Sequence, residues 1–224
     1  MKVGAVTIGQ APRNDVTCDL IPIFGDKVEL VQRGALDGHT LDEIRQFAPA
    51  EGDYVLVSRL LDGTSVTFAE KYILPRLQQA IDELEANEVE LIIFFCTGSF
   101  PDSIRSSVPL LYPRDILHRM VPLLTKTSDM IAITPSPLQV RQTEEKWCGY
   151  VKHCSALAAS PYGSWTDLQA AAQKVKEMPG DLVVLDCIGY DQKMKNMFAQ
   201  ESGKHIVLPR TLLARVVSEL ADIN

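Results

Sequence analysis

The stretch LIIFFCTGSF at residues 91–100 decides the fold, and LVVLDCIGY at residues 182–190 repeats its layout. In each stretch a short run of apolar and β-branched residues leads to a cysteine, and small or turn-forming residues follow. Apolar runs of this length, without polar alternation, are typical of strands buried on both faces of a parallel sheet. The two stretches therefore predict two central strands, each with a cysteine at its carboxyl end.

Other apolar runs recur along the chain and alternate with helical patterns. The predicted strands cover residues 2–8, 27–32, 53–59, 90–95, 130–134, 153–158, 181–186 and 205–208. Apolar residues at steps of three or four predict helices over residues 68–87, 115–124, 138–150, 165–178, 190–202 and 211–220. This alternation predicts an α/β fold with mainly parallel sheets. One departure is an Asp-Gly turn at residues 62–63, which predicts a β-hairpin.

The chain also contains an internal repeat. LLYPRDILHRMV at residues 110–121 aligns with VLPRTLLARVV at residues 207–217, and the two cysteine-ended stretches align at a similar offset. The repeat favours two pseudo-symmetric lobes that face each other across an active-site cleft, although two βα units can also align by chance. The expected boundaries are residues 1–112, completed by a C-terminal helix at 209–224, for lobe 1 and residues 113–208 for lobe 2.

Composition and charge exclude several classes of protein. A hydrophobic share of 46% with 23% charged residues is ordinary for a folded globular chain. The formal net charge is −7 and no basic block is present, which argues against nucleic acid as a partner. The longest apolar runs are too short to span a bilayer, and Gly9, Gln10 and Pro12 interrupt the N-terminal run before a signal peptide could form. We therefore expect a cytoplasmic protein.

Cysteine and histidine spacing gives no sign of a metal or a disulfide framework. The five cysteines form no CxxC pair, and the four histidines have no ligand-like spacing. Glycine-rich nucleotide-binding motifs are missing too, so the sequence predicts neither metal nor cofactor. Cys18, Cys148 and Cys154 are expected to be buried, inert thiols.

Cys96 and Cys187 are the candidate catalytic residues. Ligands of parallel sheets bind at the carboxyl ends of strands, where both thiols are predicted to lie. Inversion of a carbon acid needs one group to remove a proton and another to return it on the opposite face. Two thiols can do both, provided that nearby N–H dipoles lower one pKa below about 8.5. Backbone amides and hydroxyls could stabilise the negative charge that forms, and the candidates are Thr7, Gly9, Gln10, Thr97 and Thr134.

Two further side chains have open roles. Arg13 could bind a substrate carboxylate bidentately, or it could be a structural arginine. Arg59, Arg114 and Arg210 are alternatives, of which the last two are expected to pack or cap helices. Tyr190 begins the helix after Cys187 and could line the cleft.

TIGQAPR at residues 7–13, the Cys-Thr-Gly at residues 96–98 and LDCIGY at residues 185–190 resemble the AroM family, a bacterial group similar to the aspartate/glutamate/hydantoin racemase superfamily. This resemblance covers essentially the whole chain. It implies two pseudo-symmetric α/β lobes and an active site that works without cofactor or metal. It also implies a small carboxylate as substrate and racemase, isomerase or decarboxylase chemistry.

The resemblance also implies which residues form the site. It assigns acid and base to Cys96 and Cys187. The implied carboxylate contacts lie on three loops, at Thr7, Gly9, Gln10, Arg13, Thr97, Gly98, Ser99, Thr134, Pro135 and Ser136. Gly189 and Tyr190, which follow the second cysteine, are further candidates for substrate contacts. Two features depart from the racemase pattern. Thr97 follows Cys96 where racemases often have Asn, and Asp186 precedes Cys187, although strand alternation sends its carboxylate to the opposite face.

Three hypotheses remain open. The first is a cofactor-independent racemase, isomerase or decarboxylase that acts on a small carboxylate. The second is a binding or regulatory protein that kept the site and lost turnover. The third is a thiol-dependent lyase or hydrolase that uses Cys187 alone. Many α/β proteins of this size dimerise, which favours a homodimer.

Overall fold

The computed structural model describes residues 1–125 and 129–222, and these residues confirm the α/β fold with mainly parallel sheets. The strands are β1 (Lys2–Thr7), β2 (Glu29–Gly34), β3 (Val55–Arg59), β4 (Ser65–Ala69), β5 (Leu91–Phe95), β6 (Leu110–Leu111), β7 (Asp129–Thr134), β8 (His153–Ala158), β9 (Leu182–Leu185) and β10 (His205–Val207). The α-helices are α1 (Asn14–Phe24), α2 (Leu41–Arg45), α3 (Leu74–Glu85), α4 (Pro113–Leu124), α5 (Val140–Trp147), α6 (Trp165–Glu177), α7 (Gln192–Ser202) and α8 (Pro209–Ala221). Residues 223–224 of the predicted C-terminal helix lie outside the described residues.

The chain forms two compact units. Unit 1 contains Met1–Pro113 and the chain from Ala214 onward, and unit 2 contains Arg114–Leu213. Each unit has a four-stranded parallel sheet, ordered β2-β1-β5-β6 in unit 1 and β10-β9-β7-β8 in unit 2. The two orders become the same when β1 is matched with β7, β2 with β8, β5 with β9 and β6 with β10. The strand order therefore repeats along the chain, as the sequence does.

The central strands of unit 1 are buried on both faces because their side chains are apolar on both. Every residue of β5 is buried, and so are five of the six residues of β1. Helix α3 covers one face with Leu77, Ile81 and Leu84, which share a cluster with Val6 and Phe94. Burial of this apolar area stabilises the unit by roughly 1.5–3 kcal/mol for each large side chain.

The predicted hairpin is confirmed. Strands β3 and β4 pair antiparallel, from Val55 opposite Ala69 to Arg59 opposite Ser65. Residues of β4 alternate between exposed and buried at Ser65, Val66, Thr67 and Phe68, so its apolar face joins the core of unit 1. The hairpin interrupts the strand and helix alternation of this unit.

Strand β9 shows why both faces of unit 2 are apolar. Val183 and Leu185 pack on one face, in the same cluster as Cys187. Leu182 and Val184 pack on the other face, in the same cluster as Trp147. Because side chains alternate along a strand, Asp186 and Cys187, which follow β9, point to opposite faces of the sheet.

The structure corrects several sequence predictions. The predicted helix over residues 68–87 is wrong in its first part, because Phe68 and Ala69 belong to β4 and the helix begins only at Leu74, next to Pro75. Helices α1 and α2 and strand β6 were not predicted. In α1 an internal proline, Pro22, hides the helical pattern. Cys18 and Cys148 are exposed rather than buried, and Cys154 is half-buried with a thiol pKa raised to about 12 by burial.

Candidate active site

Cys96 is the first residue after β5 and lies at the carboxyl end of the sheet of unit 1. Its side chain belongs to the apolar core, and 8% of the residue is exposed. The backbone N–H of Gly98 donates to the Cys96 Sγ at 3.3 Å. The N–H of Ser99 donates to the Tyr54 hydroxyl at 3.0 Å, which fixes the next residue of the turn. The thiol is thus held at the strand end with an amide directed at its sulfur.

Cys187 has the same arrangement in unit 2. It lies two residues beyond the end of β9, and it too is 8% exposed. The N–H of Gly189 donates to the Cys187 Sγ, again at 3.3 Å. Strand β9 corresponds to β5 in the repeated sheet order. The same Cys-x-Gly turn therefore occurs at equivalent strand ends of both units.

Buried side chains hold the second turn in place. The guanidinium of Arg210 donates from Nε and Nη2 to the carbonyl oxygen of Ile188, at 2.9 and 2.7 Å. The Tyr190 hydroxyl donates to the carbonyl oxygen of Ala159 at 2.5 Å. Burial, followed by the neighbouring Cys187, raises the pKa of Tyr190 well above its ordinary value, so the phenol stays neutral. Tyr190 is fully buried and holds the turn in this structure.

A second phenol lies beside the same turn. A Cβ placed on Gly189 would lie 2.4 Å from the Tyr162 hydroxyl, and the nearest Pro161 atom would be 3.0 Å away. Tyr162 is half-buried, in the loop that follows β8. Only glycine therefore fits under Tyr162 at this position without a shift of the neighbouring side chains.

Asp186 points away from the thiol, as strand alternation predicts. Its Oδ2 accepts a hydrogen bond from Trp147 Nε1 at 2.9 Å and lies 2.5 Å from Lys146 Nζ. Trp147 belongs to the cluster on the face of the sheet opposite Cys187. The Asp186 carboxylate is thus paired with a cation on the face opposite Cys187.

The loop after β1 is held by its own side chains. Thr7 Oγ1 accepts from the N–H of Gly9 at 3.3 Å, and a Cβ on Gly9 would lie 2.2 Å from the Ser58 Oγ of the hairpin. The side chain of Gln10 bridges two segments, because its Nε2 donates to the His39 carbonyl and its Oε1 accepts from the Leu61 N–H, both at 3.0 Å. Gln10 acts here as a structural bridge.

Arg13 is paired inside unit 1. Its Nε and Nη2 donate to the two carboxylate oxygens of Asp15 at 2.8 and 2.7 Å, and its Nη1 lies 3.4 Å from the Ser58 Oγ. The residue is only 3% exposed. A bidentate pair of this kind already satisfies the geometry that a substrate carboxylate would use. The structure therefore favours the structural reading of Arg13.

The loop after β7 takes the equivalent place in unit 2. Thr134 Oγ1 donates to Gln139 Oε1 and accepts from the Thr143 hydroxyl, both at 3.4 Å. Ser136 accepts from the N–H of Leu138 at 3.3 Å and so caps a short 3-10 helix. Pro135 is buried between them. These hydroxyls order the loop beside β9.

The sheet register brings the predicted residues together within each unit. In unit 1, Thr7 pairs with Phe95, so the loop at residues 7–9 and the turn at residues 96–99 share one edge. In unit 2, Ile133 pairs with Leu185, so the loop at residues 134–136 lies beside the Cys187 turn. Sequence reasoning missed Tyr54, Ser58, Tyr162 and the contact of Arg210, because each reaches its site from a distant part of the chain. It also missed Gln139, which bonds Thr134 five positions earlier.

Among the described side chains, His, Cys, Asp and Glu form no group of three that could hold a metal ion. Within residues 1–125 and 129–222, no helix combines the length and apolar character needed to cross a bilayer.

Solved structures with this fold include several racemases and an isomerase. Allantoin racemase from Klebsiella pneumoniae superposes with a TM-score of 0.67 at 12% identity, over 98% of this chain and 87% of that one. Maleate isomerase Iso from Pseudomonas putida S16 gives 0.65 at 10% identity, over 100% and 93%. Glutamate racemase isoform RacE1 from Bacillus anthracis gives 0.63 at 13% identity, over 97% and 80%. At these identities the likeness establishes the racemase-like fold.

Sequence comparison narrows the relationship further. Curated protein sequences give no match. The family model described as AroM protein matches residues 3–221, which is nearly the whole chain. With its racemase-like fold and its two Cys-x-Gly turns, this chain belongs to the AroM family.

Proposed function

We propose that this protein is a cofactor-independent racemase or isomerase that moves a proton on a small carboxylate substrate, with Cys96 and Cys187 as acid and base. One observation carries the proposal. Both units place a cysteine at the carboxyl end of an equivalent strand, and in both an amide two residues later donates to the sulfur at 3.3 Å. An N–H donated to sulfur favours the thiolate, which is the form that accepts a proton.

The reaction needs no redox partner, because protons alone are moved. A thiolate removes the proton from the carbon beside the carboxylate, and the electron pair left behind spreads onto the carboxylate oxygens to give a planar enediolate. The thiol on the opposite face then donates its proton to the carbon. The two sulfurs exchange their protonation states, and the reverse turnover restores them.

The enediolate requires hydrogen-bond donors where its charge develops. We assign this role to the backbone N–H of Thr97 and the hydroxyl of Thr7. The N–H groups of Gly98, Ser99 and Gly189 and the hydroxyl of Thr134 donate within their own turns and loops, and they position the site. Arg13 and Gln10 are left out of the assignment, because their side chains are engaged with Asp15, His39 and Leu61. Of the remaining residues predicted for the site, Gly9, Pro135 and Ser136 shape the two loops, and Tyr190 holds the Cys187 turn.

The fold comparisons agree with this choice of reaction, since the similar structures carry the names of racemases and of an isomerase. The binding-protein alternative is favoured by a different observation. Arg13, the cation expected to hold a carboxylate, is 3% exposed and paired with Asp15. A protein that has lost turnover would still bind an acid through backbone amides.

The test is incorporation of deuterium at the α-carbon. The protein is incubated in D2O with single enantiomers of amino acids and hydantoins, and with maleate and aryl-malonates, and the products are followed by NMR and chiral chromatography. Cys96→Ser and Cys187→Ser are compared with Cys148→Ser, which changes an exposed thiol. We expect racemisation in the wild type and the control, and none in either site variant.

Exchange that persists on one enantiomer in each site variant would support the proposal further, because each base then serves one face. Racemisation that survives in Cys96→Ser or Cys187→Ser at the level of the control contradicts the two-thiol mechanism. If no compound exchanges, while ligands still raise the melting temperature of both site variants, the binding-protein alternative replaces the enzyme. Loss of activity with Cys187→Ser alone would indicate a single-thiol enzyme.

A further inference from the structure

We infer that Arg210 is a positioning residue that holds Cys187 in its thiolate form, and that it acts through the peptide group between Ile188 and Gly189. The catalytic meaning of this inference rests on the proposed function. The effect on the thiol itself does not, because it can be measured without a substrate.

One peptide group joins the arginine to the sulfur. Its carbonyl oxygen, on Ile188, accepts two hydrogen bonds from Arg210, at 2.9 Å from Nε and 2.7 Å from Nη2. Its N–H, on Gly189, donates to the Cys187 Sγ at 3.3 Å. The peptide is planar, so a guanidinium that fixes the carbonyl also fixes the direction of the N–H. Arg210 thereby keeps the amide aimed at the sulfur.

The same contact makes the amide a better donor. A cation bonded to a carbonyl oxygen draws electron density from the peptide, and hydrogen bonds in such a chain strengthen one another. Arg210 is fully buried, so its charge acts in a medium of low polarity where it is screened weakly by water. Both effects favour a negative charge on Cys187 over a neutral thiol.

Three polar groups near this turn, Tyr190, Tyr162 and Asp186, do not reverse the effect. Tyr190 stays neutral, because burial raises its pKa well above the ordinary value. Tyr162 places its hydroxyl beside Gly189, and as a phenol it is a donor rather than a fixed negative charge. Asp186 lies on the opposite face, where Lys146 is 2.5 Å from its carboxylate. Arg210 therefore brings the positive charge that reaches the turn itself.

The inference assigns the resting protonation states. Cys187 starts as the thiolate and accepts the substrate proton, and Cys96 starts as the thiol and donates one. The turn of Cys96 is fixed by a neutral group, since the N–H of Ser99 donates to the Tyr54 hydroxyl. The guanidinium of Arg210 thus acts on the Cys187 turn, whereas the phenol of Tyr54 acts on the Cys96 turn.

The experiment measures thiolate formation at Cys187 directly. Wild type, Arg210→Met and Arg210→Lys are treated with iodoacetamide from pH 5 to 10, and alkylation of each cysteine is quantified by peptide mass spectrometry. Arg215→Met is the control, because it removes a positive charge from an exposed position on the same helix. Cys96, read in the same digests, is an internal control.

We expect Arg210→Met to slow the alkylation of Cys187 at pH 7 about tenfold and to raise the midpoint of its pH profile by roughly one unit. Arg210→Lys restores part of the loss, and Arg215→Met and the Cys96 profiles match the wild type. A folded Arg210→Met with the wild-type profile at Cys187 overturns the inference. If circular dichroism shows Arg210→Met to be unfolded, Arg210→Lys decides: a raised midpoint supports the inference and an unchanged one refutes it.

Discussion

At the scale of single residues, Gly34 lies very close to the loop that follows β1. The backbone atoms of this loop leave no room for a larger side chain at residue 34. A Cβ on Gly34 would lie 2.5 Å from the Gly9 carbonyl oxygen and 2.7 Å from the Ala11 nitrogen, and both of these are backbone atoms. The Asp37 carboxylate ties the same backbone together, accepting from the N–H groups of Ala11 and Gly34 at 2.7 and 2.8 Å. The loop after β1 cannot move away from a Cβ at residue 34 without breaking these hydrogen bonds.

Gly34→Ala should therefore lower the free energy of unfolding by about 1–3 kcal/mol, the usual cost of overpacking. Urea unfolding measures the change. Gly163→Ala is the matched control, because a Cβ there would have no neighbour closer than 3.4 Å. Equal stabilities for the two variants would contradict the contact distances.

His118 links stability to pH. Its ring stacks on the ring of Tyr150, with 3.9 Å between the ring centroids, and contacts Trp147 edge-on, with 4.8 Å between the centroids. Burial, with a smaller contribution from Lys146, lowers the pKa of His118 from 6.5 to about 4. Between these two pH values the unfolded chain takes up a proton that the folded protein does not. Lowering the pH through this range thus favours unfolding.

We predict that His118→Phe loses part of this pH dependence. The free energy of unfolding of the wild type should fall, through this histidine, by an amount on the order of 3 kcal/mol between about pH 6.5 and 4. Urea denaturation of both proteins across this range tests the difference. Exposed His153→Gln should keep the wild-type slope. An equal slope in His118→Phe would show that other groups carry the effect.

At the scale of elements, the end of β9 is tied to helix α5 by a buried ion pair. Lys146 and Asp186 are 8% and 1% exposed in their side chains, and Trp147 donates to the same carboxylate. Removing one member of a buried pair leaves the other charge uncompensated, whereas removing both does not. The pair therefore fixes the register of α5 against the strand that leads to Cys187.

Asp186→Asn or Lys146→Met should each lower the free energy of unfolding by about 3–5 kcal/mol. The double variant should lose roughly 1–3 kcal/mol less than the sum of the two. A double-mutant cycle in urea measures this coupling. Exposed Arg141 and Glu145, paired at 2.8 Å on the same helix, supply the control cycle, for which we expect less than about 1 kcal/mol. Additive losses for the buried pair would contradict its role.

The side chain of Gln10 attaches the β3–β4 hairpin to the loop that follows β1. Gln10→Leu keeps the size of the side chain and removes its acceptor for the Leu61 N–H. We predict faster hydrogen exchange at the Leu61 amide in this variant. The Leu60 amide, which donates to the Thr64 carbonyl within the hairpin, should exchange as before. Unchanged protection at Leu61 would show that the bridge does not hold the hairpin.

At the scale of the whole molecule, helix α8 begins in unit 2 and passes into unit 1 at Ala214. Within unit 1 it buries Val217, its Ser218 hydroxyl donates to the Ile23 carbonyl at 3.4 Å, and Asp222 pairs with Lys27. Residues 214–222 are thus joined to the N-terminal part of unit 1.

Deletion of residues 214–224 should accordingly increase hydrogen exchange in α1 of unit 1 and leave α6 of unit 2 close to its native protection. Exchange measured by mass spectrometry separates the two helices. Leu220→Ala is the control, because Leu220 is exposed. Greater exchange in α6 than in α1 after the deletion would contradict the division into units.

The sequence was sufficient for most of the strands and for the position of Cys96 and Cys187 at strand ends. Both follow from apolar runs and their ends, which are local signals. It failed where a distant partner decides. Phe68 and Ala69 belong to a strand because β3 pairs with them, although Ile73, Leu77 and Ile81 suggested a helix that began at residue 68.

The partners of the site side chains were equally hidden from the sequence. Arg13 was expected either to bind a carboxylate or to be structural, and its bond to Asp15 depends on the shape of one loop. Arg210 was expected to pack or cap a helix, and it instead reaches the carbonyl of Ile188, 22 positions earlier in the chain. Such contacts have no periodicity, so they become visible only when the chain is folded.

The exchange of terminal helices between the units bears on how such a chain could arise. Helix α4 follows the last strand of unit 1 yet belongs to unit 2, and α8 from Ala214 onward follows the last strand of unit 2 yet belongs to unit 1. In an ancestral protein with a single repeat, the helix after the last strand would have packed on a second copy of the protein. Fusion of two such genes makes this packing intramolecular. Each unit then acquires its terminal helix at a rate that does not depend on protein concentration.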